Sequence, residues 1–292
     1  MKKLLCFVLV IVSLLGCLSF TACGKNKKQA KLCYIDLKNN QSGFSVTGDD
    51  TAIAIGAKKG SDLINKINEY LDTFTSTAQN GLMNEMCALI RDDKSTYSPD
   101  YNLSDNDGGT LKIGMECGYE PYNWTQKTNA NGALPIKNVS GKYANGYDVQ
   151  VAALVAEALN MKTEIYMYEW DSLIPAVTSG TIDLIIAGMS PTEDRKEVID
   201  FTTPYYRSNL VIVTREDSAI ANTSTLAEID KQGVRIAAQP GTFHLKALQE
   251  QTSSLRVINT LEDFVVMKIA LEKGTIDGYV AEEPTAMAFC MR

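Results

Sequence analysis

The residues best suited to hold an anion are Arg195 and the adjacent pair Gly241 and Thr242. Arg195 follows Ser190 by five residues and comes after the run 182–186, which is apolar except for Asp183 and predicts a buried strand. A guanidinium group grips a carboxylate through two parallel hydrogen bonds, and open α/β sheets bind ligands at the carboxyl ends of their strands. Gly241 and Thr242 precede a predicted helix, whose first N–H groups favour an anion. The sequence therefore predicts two anion-binding elements.

The histidine, cysteine and charge content excludes several other kinds of chemistry. The 292-residue chain has one histidine, His244, so histidine-based metal clusters and Ser-His-Asp triads are not expected. Its net charge of −7 argues against nucleic-acid binding, which favours a basic face. No C-x-x-C pair occurs among the seven cysteines, which are Cys6, Cys17, Cys23, Cys33, Cys87, Cys117 and Cys290. We expect no metal and no cofactor, and pairing among the last four cysteines stays open.

The N-terminus has the pattern of a secretory signal. Two lysines precede an almost unbroken apolar run over 4–18, and small residues follow up to Cys23. The cysteine at the cleavage point resembles the lipobox of bacterial lipoproteins, which predicts a signal peptide over 1–22, an acylated Cys23 and a polar tether over 23–31. The pattern thus predicts an extracytoplasmic protein anchored to the cell membrane by N-terminal lipid. The alternative is an ordinary signal peptide in which Cys23 is incidental.

From residue 110 onward, strand-like apolar runs alternate with helix-like spacing. The elements predicted for a first unit are strands at 111–115, 163–168 and 182–186 and helices at 146–159 and 171–179. Those predicted for a second unit are strands at 235–238, 255–258 and 276–281 and helices from about 243 and over 261–272, after an extended strand at 209–215. Wholly apolar short strands are typical of buried parallel sheets with helices on both faces. We therefore predict two α/β units joined by extended strands.

The part of the chain before residue 110 adds further elements and a linker. The apolar run 51–57 predicts a strand, and the spacing over 61–74 predicts an amphipathic helix that Ser61 caps. Residues 95–109 lack periodicity and are rich in turn-forming residues, so they are interpreted as a linker. We expect this strand and this helix to pack with the sheets predicted for the α/β units after residue 110.

Seven stretches between residues 110 and 288 share their order and spacing with a known family. They are 113–124 (IGMECGYEPYNW), 146–149 (GYDV), 170–176 (WDSLIPA), 180–190 (GTIDLIIAGMS) with Arg195, 201–206 (FTTPYY), 239–242 (QPGT) and 274–284 (GTIDGYVAEEP). They resemble the extracellular solute-binding proteins of ABC importers for polar amino acids, bacterial solute-binding protein family 3. The resemblance implies a two-lobed α/β fold of the periplasmic-binding-protein type II, with two parallel or mixed sheets joined by two hinge strands. It also implies a monomeric receptor that captures an amino acid by lobe closure and delivers it to the permease and ATPase subunits of an ABC importer.

The order of the segments departs from that of the family. In the family, the strand that ends near Glu282 is followed by a return strand and a C-terminal helix, but this sequence stops at Arg292. Residues 32–90 resemble the missing part, so the sequence is interpreted as circularly permuted. Lobe 2 is then predicted to comprise 32–47 and 210–292, and lobe 1 to comprise 48–94 and 110–209. Residues 95–109 would join the ancestral C- and N-termini, and the alternative is a truncated tandem fusion.

The resemblance also implies where the backbone groups of an amino acid would bind. Arg195 would grip the α-carboxylate. Further backbone and hydroxyl contacts would come from Ala187, Gly188, Ser190, Gly241 and Thr242. Glu282 matches the family's acidic partner for the α-ammonium group, with glutamate in place of the more common aspartate. No role is assigned to His244, for which packing or solvent exposure is the expectation.

The ligand's side chain would lie between two aromatic residues. By resemblance, Tyr119 and Trp170 sandwich it, and Glu116 faces its far end. A carboxylate there favours a distal cation, which indicates lysine, arginine or ornithine, and glutamine or another polar amino acid is the alternative. Taken singly, each of these residues also fits a purely structural role, such as a core aromatic or a solvated acid.

Two other functions fit the same fold. A dehydratase would need an acid–base pair in the cleft, and Glu116 and Glu282 are the residues available for it. A ligand-sensing module would bind the same amino acid and signal to a partner. We expect a transport receptor and no enzyme.

Overall fold

A computed structural model describes residues 30–290, so the predicted signal peptide and the predicted lipid attachment at Cys23 lie outside the described residues. The strands are β1 (Leu32–Ile35), β2 (Ala52–Ile53), β3 (Gly56–Lys58), β4 (Thr110–Met115), β5 (Gly118–Tyr119), β6 (Asn123–Gln126), β7 (Leu134–Pro135), β8 (Tyr143–Asn145), β9 (Lys162–Met167), β10 (Leu184–Ile185), β11 (Ile199–Phe201), β12 (Tyr206–Arg207), β13 (Leu210–Arg215), β14 (Arg235–Ala237), β15 (Arg256–Ile258) and β16 (Gly278–Glu282). The helices are α1 (Leu63–Leu71), α2 (Ser76–Arg91), α3 (Tyr147–Ala158), α4 (Leu173–Ser179), α5 (Glu193–Lys196), α6 (Leu226–Asp230), α7 (Phe243–Gln251), α8 (Phe264–Glu272) and α9 (Glu283–Cys290), and a 3-10 turn covers Trp170–Ser172. The predicted mixed α/β class is confirmed.

One sheet, here called the β4 sheet, has the strand order β11-β3-β10-β4-β9. β4 pairs in parallel with both β9 and β10, so the carboxyl ends of these three strands meet at one edge. β3 comes from the N-terminal part of the chain and pairs antiparallel with β10 and with β11. Leu111 and Ile113 of β4 are fully buried in the larger hydrophobic core. The sheet thus presents three loops at a single edge.

The second sheet, here called the β16 sheet, has the strand order β1-β13-β16-β14-β15. β14 pairs in parallel with β15 and β16, whereas β13 is antiparallel to β16 and β1 is antiparallel to β13. The carboxyl ends of β14 and β16 therefore meet at one edge of this sheet. A second hydrophobic core, which includes Ile212 and Val280, packs on it.

Two chain segments pass side by side between the two sheets. β2 pairs antiparallel with β12, with Ile53 opposite Tyr206. Close by, the backbone N–H of Ser208 donates to the carbonyl of Thr51 over 3.3 Å. These paired segments, which contain β2 and β12, correspond to the extended strands expected between two lobes. The two sheet edges can therefore face each other.

Segments from the N-terminal part of the chain contribute to both sheets. β1 forms one edge of the β16 sheet, and β3 lies inside the β4 sheet. Helix α2 packs against α9, and the Cys87 thiol lies 3.6 Å from the carbonyl of Pro284. Residues 30–94 are therefore integrated into both halves of the molecule.

Residues 95–109 contain no helix or strand, but they are held against α3. The Tyr101 hydroxyl lies 2.9 Å from Gln150 Oε1, and the N–H of Asn102 donates to Glu157 Oε1 over 2.7 Å. The buried Asn106 donates to the carbonyl of Met161 over 2.8 Å. Residues 95–109 thus form an irregular surface segment that hydrogen bonds hold in place.

Several local predictions need correction. The apolar run 51–57 forms two short strands, β2 and β3, in place of one. Helix α8 begins at Phe264 and not at 261, because the Asp263 carboxylate caps it by accepting from the N–H of Val266 over 2.7 Å. Helix α1 begins at Leu63 and not at 61, but the Ser61 hydroxyl accepts from the N–H of Leu63 over 3.3 Å, as the predicted capping role requires. The four-stranded sheet β5-β6-β8-β7 was not predicted, because strands of two to four residues show no measurable alternation.

Three further findings concern residues 30–290. Within residues 30–290, no helix is long and apolar enough to cross a membrane. Cys33, Cys87, Cys117 and Cys290 are free thiols. In the same part of the chain, no three His, Cys, Asp or Glu side chains come together as a metal site would require.

Candidate functional site

Arg195 connects loops of the two sheets. It lies on the short helix α5, after β10 of the β4 sheet. Its Nη1 donates to the carbonyl of Ser190 over 2.8 Å, and its Nη2 donates to the carbonyl of Gly241 over 3.0 Å. The guanidinium group also lies over the Trp170 ring, 5.1 Å from the centroid. Burial lowers the pKa of Arg195 to about 10, so the group keeps its charge at neutral pH.

Thr242 caps the helix that faces Arg195. Its Oγ1 accepts from the N–H of Leu245 over 3.3 Å and donates to the carbonyl of Gln239 over 2.6 Å. Gly241 has a φ of +69°, and a Cβ atom there would lie 2.6 Å from Asp171 Oδ1. Only glycine allows the loop after β14 to approach the Trp170–Ser172 turn this closely.

The facing edges of the two sheets line a pocket that is nearly closed in this conformation, with a cavity volume of about 20 Å³. The lining residues are Glu116, Tyr119, Trp170, Ala187, Gly188, Ser190, Arg195, Gln239, Thr242, Phe243, His244, Phe264 and Glu282. The structure thus brings together every predicted ligand residue except Gly241, whose carbonyl nevertheless accepts from Arg195 and from Trp170 Nε1. The lining comes from segments that follow β4, β9 and β10 on one side and from the ends of β14 and β16 and the start of α8, after β15, on the other.

Glu116 is a buried carboxyl group directly after β4. Its Oε1 accepts from Gln239 Nε2 over 2.6 Å, and the same amide group donates to the carbonyl of Glu262 over 2.8 Å. Burial raises the pKa of Glu116 to about 8, although the bond from Gln239 opposes this shift. A cation placed beside Glu116 would favour the ionised form.

The aromatic wall differs from the predicted one. Tyr119 stacks on Phe264, with ring centroids 3.8 Å apart, and on Tyr122 at 5.0 Å. Its hydroxyl accepts from the N–H of Glu282 over 3.3 Å, which ties the two sheet edges together. Trp170 stacks with the guanidinium group of Arg195. In this conformation, Phe264 is therefore the aromatic partner of Tyr119.

Glu282, the last residue of β16, pairs with His244 of α7. Their Oε1 and Nε2 atoms lie 2.9 Å apart, and both side chains are buried. Burial raises the pKa of Glu282 to about 8. Burial, together with the nearby charge of Arg195, lowers the pKa of His244 to about 3. Both groups are therefore held toward their neutral forms at pH 7.

Asp148 fixes the loops that carry the pocket residues of the β4 sheet. It is fully buried, and its carboxylate accepts from the Tyr205 hydroxyl over 2.6 Å, from Asn123 Nδ2 over 2.7 Å and from the backbone of Gly188. Asn123 Oδ1 in turn accepts from the N–H of Cys117 over 2.7 Å. One carboxylate therefore determines the position of the loops after β4 and after β10.

Sequence reasoning missed four lining residues, Gln239, Phe243, His244 and Phe264. Gln239 belongs to the quoted QPGT stretch, so its motif was a usable signal. Phe243 and His244 follow that stretch directly, but their types alone do not distinguish pocket from packing. Phe264 reaches the cavity because Asp263 starts α8 there, which the spacing did not predict.

The comparison with known families agrees with this architecture. The sequence model of the bacterial extracellular solute-binding proteins, family 3, matches residues 111–277, which is more than half of the chain. The chain belongs to the bacterial extracellular solute-binding proteins, family 3. Residues 30–94, which contribute to both sheets, lie outside the matched range.

Individual relatives are similar to part of the chain. A probable histidine-binding protein of Campylobacter jejuni is 30% identical over 183 residues, which are 62% of this chain and 62% of that protein. The chain thus spans less than two thirds of the length of this curated relative. Among solved structures, an amino acid ABC transporter substrate-binding protein of Streptococcus pneumoniae bound to L-arginine has a TM-score of 0.52 and 27% identity, and the match covers 61% of this chain and 69% of that one.

One similar structure bears on the question of catalysis. An ancestral amino acid-binding protein, described as a precursor of cyclohexadienyl dehydratase, has a TM-score of 0.52 and 26% identity. The match covers 61% of this chain and 71% of that chain. The family and this neighbour are binding proteins, and they support the expected two-lobed fold.

Proposed function

We propose that this protein is an extracytoplasmic receptor that captures an amino acid with a basic side chain between its two lobes and delivers it to an ABC permease. The observation that carries the proposal is the charge pattern of one cavity, which holds the half-buried guanidinium group of Arg195 and the two buried carboxyl groups of Glu116 and Glu282. A basic amino acid carries one carboxylate and two cationic groups. It is therefore the complement of the cavity in both sign and number.

Each group of such a ligand has a partner in the cavity. The α-carboxylate binds Arg195, which exchanges its bonds to loop carbonyls for a bidentate pair, beside the N-terminus of α7 at Thr242. The α-ammonium group binds Glu282, and the distal cation binds Glu116. Pairing favours ionisation of both carboxyl groups, which burial alone opposes. Several charge-assisted hydrogen bonds, after the entropic cost of ordering the ligand and the loops is subtracted, support a dissociation constant of about 1 μM or lower.

Lobe closure couples the two halves of the site. Arg195, Glu116 and Tyr119 come from the β4 sheet side, whereas Thr242 and Glu282 come from the β16 sheet side. Only a closed arrangement lets them act together, so the ligand stabilises closure. We place the hinge at residues 48–53 and 207–210, where the two crossing segments pair.

The remaining proposals concern anchoring and chain order. We propose lipid attachment at Cys23, a monomeric receptor held to the cell membrane, and partner permease and ATPase subunits. We also propose a circular permutation in which 32–47 and 210–292 form one lobe, 48–94 and 110–209 form the other, and 95–109 joins the ancestral termini. The insertion of β3 between β10 and β11 supports it, because a truncated tandem fusion gives no reason for that placement.

A thermal-shift screen of residues 24–292 tests the receptor proposal. The twenty amino acids, ornithine and cystine are added singly, and a basic amino acid is expected to raise the melting temperature most. Arg195→Lys is expected to weaken its binding at least about tenfold, because an ammonium group cannot form the bidentate pair. Arg256→Lys, at an exposed arginine of β15, is the matched control. A screen in which no amino acid shifts the melting temperature contradicts the proposal.

A further inference from the structure

His244 is the single histidine of the sequence, and it lies inside the cavity. It is the second residue of α7, after the cap Thr242 and Phe243, and its side chain is 6% exposed. Its ring packs edge-on against Phe264, with centroids 6.1 Å apart. Because α7 begins at the carboxyl end of β14, the helix carries this ring to the neighbouring end of β16, where Glu282 lies.

The contact between His244 and Glu282 distinguishes the two carboxyl oxygens. Oε1 lies 2.9 Å from Nε2 of the ring. Oε2 is buried, and no donor within residues 30–290 reaches it. Buried carboxyl oxygens are almost always bonded, so an orphan oxygen in a cavity wall indicates a group that a bound molecule would satisfy. With Oε1 occupied, Oε2 is the atom that remains for that molecule.

A purely structural role does not explain the histidine. Its Nδ1 atom is also buried and has no hydrogen-bond partner among the described residues. An apolar side chain would fill the same space against Phe264 without burying an unsatisfied nitrogen. Within residues 30–290, the one hydrogen bond that the ring makes is the bond to Glu282, so the reason for a histidine lies in that bond.

We propose that His244 is a positioning residue of the ligand site, which holds Glu282 through Oε1 so that Oε2 accepts from the ligand's α-ammonium group. The inference rests on the proposed function, since it requires an amino-acid ligand. A neutral partner suits this task, because it orients the carboxylate without cancelling its charge. Burial and the charge of Arg195 keep the ring neutral, which is consistent with a pKa of about 3.

The proposal makes a specific statement about ligand chemistry. Removing the bond at Oε1 weakens only ligands that use Oε2, which are those with an α-ammonium group. Ligands that lack this group, but keep the carboxylate and the distal group, lose nothing at this position. A general loosening of the cavity would instead weaken both kinds of ligand equally.

The experiment is a calorimetric cycle with matched ligand pairs. The pairs are L-arginine with 5-guanidinopentanoic acid, L-lysine with 6-aminohexanoic acid, and L-glutamine with glutaramic acid. The wild type is compared with His244→Leu, which removes the donor, and with His244→Gln, which can place an amide N–H near the position of Nε2. His244→Met is a second apolar variant in case the leucine variant does not fold, and melting temperatures verify folding.

The expected result is a loss of affinity that is confined to ligands with an α-ammonium group. His244→Leu or His244→Met should weaken the amino acid by about tenfold to a hundredfold and the matching des-amino acid by less than about threefold. His244→Gln should recover most of the loss. Equal weakening of both members of a pair, or no weakening in either apolar variant, overturns the role of His244. A wild type that binds none of the three amino acids overturns the proposed function itself, which is a separate outcome.

Discussion

The cavity residues carry charges of both signs in a place where burial makes charge costly. Burial raises the pKa values of Glu116 and Glu282 to about 8 and lowers that of Arg195 to about 10. Isolated charges in such a place are stabilised only by partners. A ligand with one carboxylate and two cationic groups supplies a partner to each, so binding relieves three separate desolvation costs.

The raised carboxyl pKa values predict how stability depends on pH without added amino acid. A carboxyl group whose folded pKa lies above its unfolded value of 4.5 binds more protons in the folded state, so the free energy of unfolding falls as pH rises toward 8. Urea unfolding between pH 6.5 and pH 8 measures this slope. In that window His244 adds only a smaller slope of opposite sign, because it is neutral in the folded state and its unfolded pKa of 6.5 lies at the lower edge of the window. Asp148, with a pKa of about 6, changes little.

The double variant Glu116→Gln with Glu282→Gln is the matched control for this slope. It is expected to show a nearly flat stability between pH 6.5 and pH 8, because the two titrating groups are gone. An unchanged slope in the double variant would show that other groups carry the pH dependence.

At the scale of elements, the parallel pairing of strands places the site. β4, β9 and β10 end at one edge, and the residues that follow them carry Glu116, Trp170 and Ser190. The loops after β4 and β10 have no regular structure of their own, so the buried Asp148 on α3 holds both of them. Helix α3 therefore positions binding residues that it does not itself contribute.

Asp148→Asn should destabilise the protein and weaken ligand binding together. The amide group replaces one acceptor oxygen with a donor, which then faces Tyr205, Asn123 or Gly188, all of which donate to the carboxylate. The expected loss in the free energy of unfolding is about 1–3 kcal/mol, the usual cost of an unsatisfied buried polar group. Urea unfolding and titration with the amino acid found in the screen measure the two effects. Unchanged ligand affinity in this variant would mean that Asp148 does not determine the positions of the loops after β4 and β10.

The elements that sequence patterns predicted are those with strong local signals. The apolar run of β4, the helical spacing of α3 and the helix start after Gly241 each depend on neighbouring residues, and all three are confirmed. The pairing of Tyr119 with Phe264 and of Glu282 with His244 joins residues far apart in sequence, so no local pattern reveals them. The resemblance supplied the ligand residues, but it carried no information on residues particular to this chain.

At the scale of the whole molecule, the N-terminal part of the chain completes both sheets. β1 closes one edge of the β16 sheet, and β3 lies between two strands of the β4 sheet. Helix α9 packs directly against β1, so the two ends of the described chain lie on one part of the surface. This arrangement is what a permuted receptor requires.

Restoring the order of the segments tests the permutation. A chain of residues 107–292 followed by a short glycine-serine connection and residues 30–94 keeps every strand pairing. It is expected to bind the same amino acid within about threefold of the parent affinity, measured by calorimetry. Residues 107–292 alone are expected not to bind, because β3 would be missing from its sheet. Full binding by that fragment would contradict the permutation.

The most direct test of the central claim is calorimetric titration of residues 24–292 with L-arginine, L-lysine and L-citrulline, the neutral analogue of arginine. The account predicts that at least one of the two basic amino acids binds at about 1 μM or tighter and that citrulline binds at least about tenfold more weakly. Glu116→Gln should remove this preference, whereas Glu250→Gln, at an exposed glutamate of α7, should leave it intact. Citrulline affinity equal to that of the basic amino acids in the wild type would contradict recognition of a distal cation.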